Sequence, residues 1–592
     1  MFKKKEEGES AQDAPESSQT GLLKRHLRET VGEVVRIPPA TRSLMTRLAL
    51  VYYRAAVSDE RSALTTAVLA ESKRRVYPQY AFRRSERLFE SREHLIALQR
   101  AASVEAEVEG LLEQDGSKEA FERVKTLFES VYEEWKMHVR DVEASSAGCD
   151  QRQFYFRNRF HPGWPLTRVV FKGATALAHF KLYKREEEVL RALLAQRAFR
   201  RGRRGEWYDR LALILGAYSE RPDKGKARAL EVAVQGIEDP DTHLIYQDTL
   251  QRRIVRLESQ LRIAFSRKHD FSYAKLATCR ERIFRGTRLD AMAPPPAPPK
   301  RGPWGNSSPS PSPGAVDSTN ERRALRKLVQ VERGPSPVSP ARRPFKMEKA
   351  VSDPMLLSAR GSTAANGSAY VLEERRSMAT VWEGLDGKSC RVEDYVLQCY
   401  AEEGFTGFHC EGGVLRMIFA LVMWDVLYAP VDGAFETPFQ SAPLDLGEDS
   451  FAITRAPQIR ERLALIEETG GLALIREADE RERPRRSFAI GCRWDLYTQQ
   501  DLLEIAECMG GKAIATVCQM FAEEFIAGGL PDLVVWRMSD KTVRFCEVKG
   551  PGDSLRAKQK IWIDVLLRAG LQVEVSLVRE GVRKRKAEAE QE

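Results

Sequence analysis

Asp532 follows Pro531 and opens a short apolar run, Leu533 to Trp536, of strand length and strand composition. A polar turn, Met538 to Thr542, separates it from a second strand candidate, Val543 to Lys549. Strand side chains alternate faces, so Glu547 and Lys549 share one face while Cys546 and Val548 take the other. A hairpin between the two runs brings Asp532 beside Glu547 and Lys549, gathering two carboxylates and an ammonium at one end of a small sheet. Buried like charges raise each other's pKa unless a cation sits between them. Oxygen ligands suit a hard ion, Mg²⁺ or Mn²⁺, over zinc. A lysine at that position can hold or polarise water for attack on phosphorus.

Each fragment alone is common. Pro-Asp recurs at Pro222-Asp223 and Pro240-Asp241, and Glu-x-Lys at Glu71/Lys73 and Glu134/Lys136. A Glu-x-Lys on a strand is usually a solvated edge. The information lies in the order: a strand opening with Asp, a hairpin, a strand closing with Glu-x-Lys-Gly, then an amphipathic helix from Ser554. This is the arrangement of metal-dependent nucleases with the PD-(D/E)xK signature. Upstream, Glu411 stands at the head of a strongly apolar stretch, Val414 to Tyr428, read as a buried helix. A glutamate there is either a cap favoured by the helix dipole or a third carboxylate for the same ion. Gly412 and Gly413 leave room for a close approach. His409 reads as structural or as a DNA contact, since no Cys or His stands at zinc-ligand spacing from it.

The elements that must position these residues come from a chain of 592 residues, long enough for several domains. Its net charge of +9 suits a polyanion-binding protein. Nine cysteines without a CxxC pair argue against a disulfide framework and for a reducing compartment. The opening residues lack an apolar core, so no secretory signal is expected, and no stretch is apolar enough to span a membrane.

The pattern predicts an α-rich multidomain protein: a helical N-terminal half followed by an α/β restriction-endonuclease-like domain. Residues 1–40 read as a disordered tail and 41–150 as a helical DNA-binding region. Within the latter, Lys73 to Leu95 mixes arginines with Tyr and Phe, a mixture that suits phosphate and base contacts or, equally, a solvated helix face over core aromatics. Residues 151–292 read as a tetratricopeptide-like helical domain with one clear repeat. The run Arg200 to Arg204 reads as a solvated turn or a phosphate contact. Residues 293–369 are rich in Pro, Ser and Arg and read as a disordered insert, with Ser308, Ser310, Ser312, Ser336 and Ser339 before prolines as expected phosphorylation sites. Residues 370–580 form the expected nuclease domain, and 581–592 a basic tail whose Arg583 to Lys586 resembles a nuclear import signal.

The segments GFHCEGG with WDVLY, QSAPLDLGEDSF, GGLPDLVVWR and EVKGPGDSLRAKQKIWIDVL together resemble the Fanconi-associated nuclease family, whose catalytic part is the VRR-NUC domain. The resemblance extends back through RRGEWYDRLALIL to YPQYAFRRSERLFESREHL and covers residues 60 to 580. It implies a structure-selective nuclear nuclease that cuts 5′ flaps, resects from 5′ to 3′, unhooks interstrand cross-links and uses Mg²⁺ or Mn²⁺. Its DNA partner would be branched or flapped duplex with 5′ ends, and repair proteins would engage through the insert.

By this resemblance the metal ligands are Glu411, Asp532, Glu547 and the Val548 carbonyl, and Lys549 is the catalytic lysine. Arg210, His243 and Lys558 match a pocket for the DNA 5′-phosphate. Glu524 stands where the family carries an arginine. No cysteine precedes Cys149, so the ubiquitin-binding zinc finger of some members is absent from this sequence, as in fungal-type members. Two other readings stay open at this point: a branched-DNA scaffold without catalysis, and a symmetric junction resolvase.

Overall fold

Apolar residues spaced three and four apart close the first half of the chain into a stack of helices. The structure, a computed structural model, describes residues 25, 29–30, 38–54, 60–82, 84–85, 88–114, 116–146, 150–289, 381–524 and 528–581. The insert at 293–369, its serines, most of the 1–40 tail and the basic run 583–586 lie outside the described residues. Helices α1 (Pro39–Tyr53) and α2 (Glu60–Glu71) lead to an extended stretch. Then follow α3 (Arg92–Gln114), α4 (Lys118–Ser145), α5 (Gln151–Arg157), α6 (Gly163–His179), α7 (Tyr183–Ala195), α8 (Arg204–Tyr218), α9 (Pro222–Glu238) and α10 (Leu244–Gln260). One apolar core runs from Ala101 on α3 to Leu257 on α10, so the division expected near residue 150 does not separate two cores. The predicted hairpin of α6 and α7 is present. Gly173 on α6 lets Phe128 of α4 approach to where a Cβ would lie 2.2 Å from its ring.

The C-terminal half is built on a five-stranded sheet ordered β1-β8-β7-β6-β5. Its strands are β1 (Arg280–Gly286), β5 (Thr406–His409), β6 (Leu533–Arg537), β7 (Thr542–Lys549) and β8 (Gln572–Glu580). The outer pair β1/β8 and the pair β8/β7 are parallel, whereas β7/β6 and β6/β5 are antiparallel. A small second sheet joins β2 (Arg288–Leu289), β3 (Val381–Glu383) and β4 (Ser389–Cys390). Strands β1 and β2 therefore belong to the C-terminal half, although the sequence assigns residues up to 292 to the helical region. Charged residues flank the adjacent Ile283 and Phe284 of β1, so nothing in its composition marks it as part of a core sheet.

Both faces of the sheet are covered. One packs under α11 (Val392–Glu402), burying Leu533, Val535, Cys546 and Val548. The other buries Val534, Trp536, Phe545 and Val575 against α12 (Gly413–Val422), α13 (Trp424–Leu427), α14 (Ser450–Thr454), α15 (Ala456–Thr469), α16 (Leu472–Glu482), α17 (Gln499–Met509), α18 (Gly511–Glu523) and α19 (Ala557–Arg568). The helix expected over Val414 to Tyr428 is split at Met423. The two helices before the signature, α17 and α18, meet at Gly510, whose φ of +76° favours glycine.

The two halves share their packing. Phe156 and Phe160, from α5 and the turn after it, lie in the core of the C-terminal half. Tyr80 stacks on Phe435 and Tyr428 and exchanges hydrogen bonds with Thr437 and Gln440, while Tyr77 is buried near Phe439 and Phe488. These aromatics of the Arg/Tyr-rich segment are interdomain packing, so they do not cover bases. The fully buried Glu436 accepts from the Ser85 N–H at 3.2 Å and faces Arg54 at 3.5 Å. No helix among the described residues is long and apolar enough to cross a membrane.

Candidate active site

Register places the signature residues. Leu533 pairs with Cys546 across the β6/β7 hairpin, so Asp532, one step beyond, stands opposite Glu547 as the alternation predicts. The Val548 N–H donates to Asp532 Oδ2 at 2.8 Å. Lys549 Nζ donates to Glu547 Oε1 at 2.6 Å, and the Gln559 amide of α19 donates to the same oxygen. Gln559 also accepts from the Arg556 N–H at 2.8 Å, which locks its amide at the helix start. Sequence reasoning missed Gln559; the signal was its place in the first turn of the amphipathic helix after Glu-x-Lys. Glu547 is fully buried, yet its Oε2 has no hydrogen-bond partner. An orphaned carboxylate oxygen beside a second carboxylate fits a hard cation.

The Glu411 turn reaches this edge through its backbone. Strand β5 ends beside β6 with His409 opposite Leu533, and the next two N–H groups, of Cys410 and Glu411, both donate to the Asp532 carbonyl at 2.9 and 3.1 Å. Glu411 has a φ of +43° and Gly412 one of +74°. Arg416 donates to the Glu411 carbonyl at 2.8 Å. A Cβ on Gly412 would lie 2.2 Å from Leu530 Cδ1, so the turn packs directly on the residues leading into Asp532.

Glu411 does not cap α12. Gly412 holds the N-cap position without a side-chain bond, and the Glu411 carboxylate, 69% exposed, lies 3.8 Å from His409 Nε2. Among the described residues no three His, Cys, Asp or Glu side chains close into a ready ligand set. Asp532 and Glu547 meet, and Glu411 stands beside them with its side chain turned to solvent.

Burial raises the Glu547 carboxyl to about 7, and the charge of Asp532 adds to the rise against the pull of Lys549. Asp532 is also raised, again by burial first, with the Val548 N–H and Lys549 opposing. Glu393 on α11 and His409 contribute to its field; Glu393 is a further acidic neighbour that the sequence did not single out. For Glu547 the folded pKa lies above the unfolded one. Its contribution to stability is thus complete below the ordinary carboxylate pKa and is lost as pH rises through about 7. A cation needs the ionised form, so its affinity must change the other way. Calorimetric titration with Mn²⁺ should show binding about tenfold tighter at pH 8 than at pH 6, with proton release. An affinity flat across that range would contradict the assignment of Glu547 as a ligand.

The three residues matched to a 5′-phosphate pocket stand on three different helices, α8, α10 and α19. His243 caps α10 through its Nδ1 and lies 3.3 Å from Glu523 at the end of α18. Lys558, in the first turn of α19, packs against Gly529. Arg210 on α8 turns instead to Glu186 of α7 at 2.5 Å.

From the arginine run it is Arg203 that reaches this region, pairing with Glu524 at 2.9 Å and with Tyr246. Glu524, at the position of the family arginine, thus has a cation of the helical half as its partner. The run is not a solvated turn. Arg200 and Arg204 are buried, and Arg204 is tied to Asp239 at 2.7 Å.

Two family models match the chain in order: Fanconi-associated nuclease 1, TPR domain, over residues 94–258, and the VRR-NUC domain over residues 470–580. The Fanconi-associated nuclease 1 homolog of Schizosaccharomyces pombe is 28% identical over 571 residues, covering 94% of this chain and 69% of that protein. Fanconi-associated nuclease 1 of Homo sapiens is 26% identical over 94% of this chain, which spans 47% of the human protein's length. The homolog of Oryza sativa subsp. japonica is 37% identical over 206 residues, 33% of this chain and 21% of its own length. The crystal structure of paFAN1 bound to 2-nt 5′-flap DNA with a gap aligns with 96% of this chain and 78% of its own, at a TM-score of 0.54 and 16% identity, a likeness of fold. With a helical-domain model, a nuclease-domain model and relatives aligned along 94% of the chain, all in one order around the sheet edge that carries Asp532, Glu547 and Lys549, the chain is similar to the Fanconi-associated nucleases in both of its halves.

Proposed function

We propose that this chain is a structure-selective deoxyribonuclease that hydrolyses phosphodiesters at 5′ flaps and resects duplex from 5′ to 3′, in interstrand cross-link repair in the nucleus. One observation carries the reading. Asp532 and Glu547 face each other at the sheet edge with an orphaned carboxylate oxygen, Lys549 beside them and the Glu411 turn bonded to the Asp532 backbone. The 5′-flap DNA held by paFAN1, whose fold this chain shares, supports the substrate class.

Asp532 and Glu547, with Glu411 and the Val548 carbonyl, would hold Mg²⁺ or Mn²⁺. When bound, such an ion supplies positive charge for the phosphorane-like transition state and acidifies water. The chain's own groups do the positioning. The Val548 N–H fixes the rotamer of Asp532, and Gln559 and Lys549 fix that of Glu547. Lys549, held beside Glu547, would orient the attacking water. The water oxygen bonds to phosphorus as the ester P–O bond breaks, and the departing oxygen takes up a proton. Arg210, His243 and Lys558 are assigned to the DNA 5′-phosphate.

The deciding experiment uses a labelled 5′-flap duplex with the full chain. Cutting is expected with Mg²⁺ or Mn²⁺ and should vanish on chelation and return on metal addition. A chain that binds the flap but never cuts it in either metal would be the scaffold rather than the enzyme.

A further inference from the structure

The segment Leu444–Asp449, part of the SAPLDLGEDSF motif, belongs by sequence to the C-terminal half, and while Asp445 pairs within that half with Arg455, the Leu444 carbonyl and the carboxylates of Glu448 and Asp449 face the helical half. The Leu444 carbonyl accepts from Arg159. Glu448 accepts from Arg168 of α6 at 2.7 Å and faces Arg200 at 3.7 Å. Arg168 in turn bonds Glu105 of α3 at 2.6 Å, so the contact reaches the second layer of helices. The adjacent Asp449 accepts from the Tyr155 hydroxyl of α5 at 2.6 Å and from the Gly202 N–H at 2.7 Å. The Tyr155 hydroxyl accepts from the Arg201 N–H at 2.9 Å. Gly202 is needed for this approach, since a Cβ there would lie 3.0 Å from Asp449 Cβ.

The same arginine run has a second attachment. While Arg200 to Gly202 lie on Glu448 and Asp449, Arg203 pairs with Glu524. Glu524 closes α18, and the chain then runs through Gly528 to Pro531 into Asp532. A single turn of the helical half is therefore clamped at two places on the catalytic half, one of them on the approach to the site. Burial alone would raise Glu448, but Arg200, Arg168, Arg159 and Arg203 outweigh it and hold its carboxyl at about 2, whereas burial raises the neighbouring Asp449 carboxyl.

We infer that Glu448 and Asp449 are positioning residues that set which phosphodiester is cut, by fixing the distance from the helical half, to which the sequence reading assigns duplex binding, to the carboxylate edge. This rests on the nuclease reading above. A half-buried two-carboxylate joint adds nothing to the chemistry at phosphorus, but a small shift of one half against the other moves a different phosphate into line.

The test maps incision positions on a 5′-flap duplex, in single turnover, for Glu448→Gln, Asp449→Asn and Tyr155→Phe alongside the parent. The last removes one hydroxyl from the joint and guards against variants that fail to fold, which thermal melting would reveal. We expect the cut sites to spread or move by a nucleotide or more, while the rate summed over all sites stays within about threefold. Folded variants that cut at the parental positions, or that lose rate with positions unchanged, would overturn the inference while leaving the nuclease reading intact. A parent that does not cut at all would sink the nuclease reading instead.

Discussion

Asp532→Asn and Lys549→Ala are each expected to abolish incision while flap binding persists. Asp532→Asn keeps the side-chain shape and its acceptor for the Val548 N–H, but removes one of the two charges at the sheet edge. Loss of a group that stabilises charge only in the transition state costs about a hundredfold to a thousandfold. A variant that also weakens the cation should fall further. Lys549→Ala leaves Glu547 Oε1 with Gln559 as its remaining partner and removes the amine proposed to orient the attacking water. Because both residues sit at the edge of a sheet covered on both faces, neither change should unfold the protein. Single-turnover cleavage and gel-shift binding of the same flap separate the two effects. Parental rates in both variants would refute the assignment of this edge as the catalytic centre.

Gly412→Ala should produce the next largest loss, through geometry alone. The position has a φ of +74°, and its added methyl would meet Leu530 at 2.2, 2.5 and 2.7 Å. A left-handed residue other than glycine costs about 1–2 kcal/mol, and overpacking adds about 1–3 kcal/mol. Relief requires Leu530 to move, and Leu530 leads through Pro531 into Asp532, whose carbonyl the same turn binds. A displacement of about 1 Å at a reacting centre can cost about a hundredfold. Gly470→Ala is the matched control: its φ is +75° but nothing lies within 4 Å of the added carbon. It should lose only the backbone term in melting experiments and cut normally. Equal cutting by both variants would show that the Glu411 turn does not position the site.

Alternation along two short strands made the pairing of Asp532 with Glu547 and Lys549 readable before any coordinates, because period two fixes both face and register once the turn is placed. Glu411 was readable as a neighbour but not as a geometry. Its approach depends on two backbone donors and a left-handed turn, which no residue type announces. The arginine run shows the opposite failure. Five residues dense in positive charge read as solvent-facing or phosphate-facing, yet Arg200 and Arg204 are buried because Glu448 and Asp239, remote in sequence, arrive to pair with them. Tyr77 and Tyr80 were likewise ambiguous, since an aromatic between arginines packs equally well on a base or on a neighbouring domain. Partner identity, not composition, decided each case.

Strand β1 bears on how the catalytic half can be handled as a piece. It pairs along β8 from Arg280 to Gly286, although residues 290–380 intervene before the chain resumes. A fragment begun at residue 370 would leave β8 with a bare hydrogen-bonding edge, an invitation to self-association. Leu289 and Val381 stand directly opposite each other across β2 and β3, so the chain departs and returns at a single point on the surface. Evolution can lengthen, shorten or exchange what lies between them at little architectural cost, because loop closure depends only weakly on length.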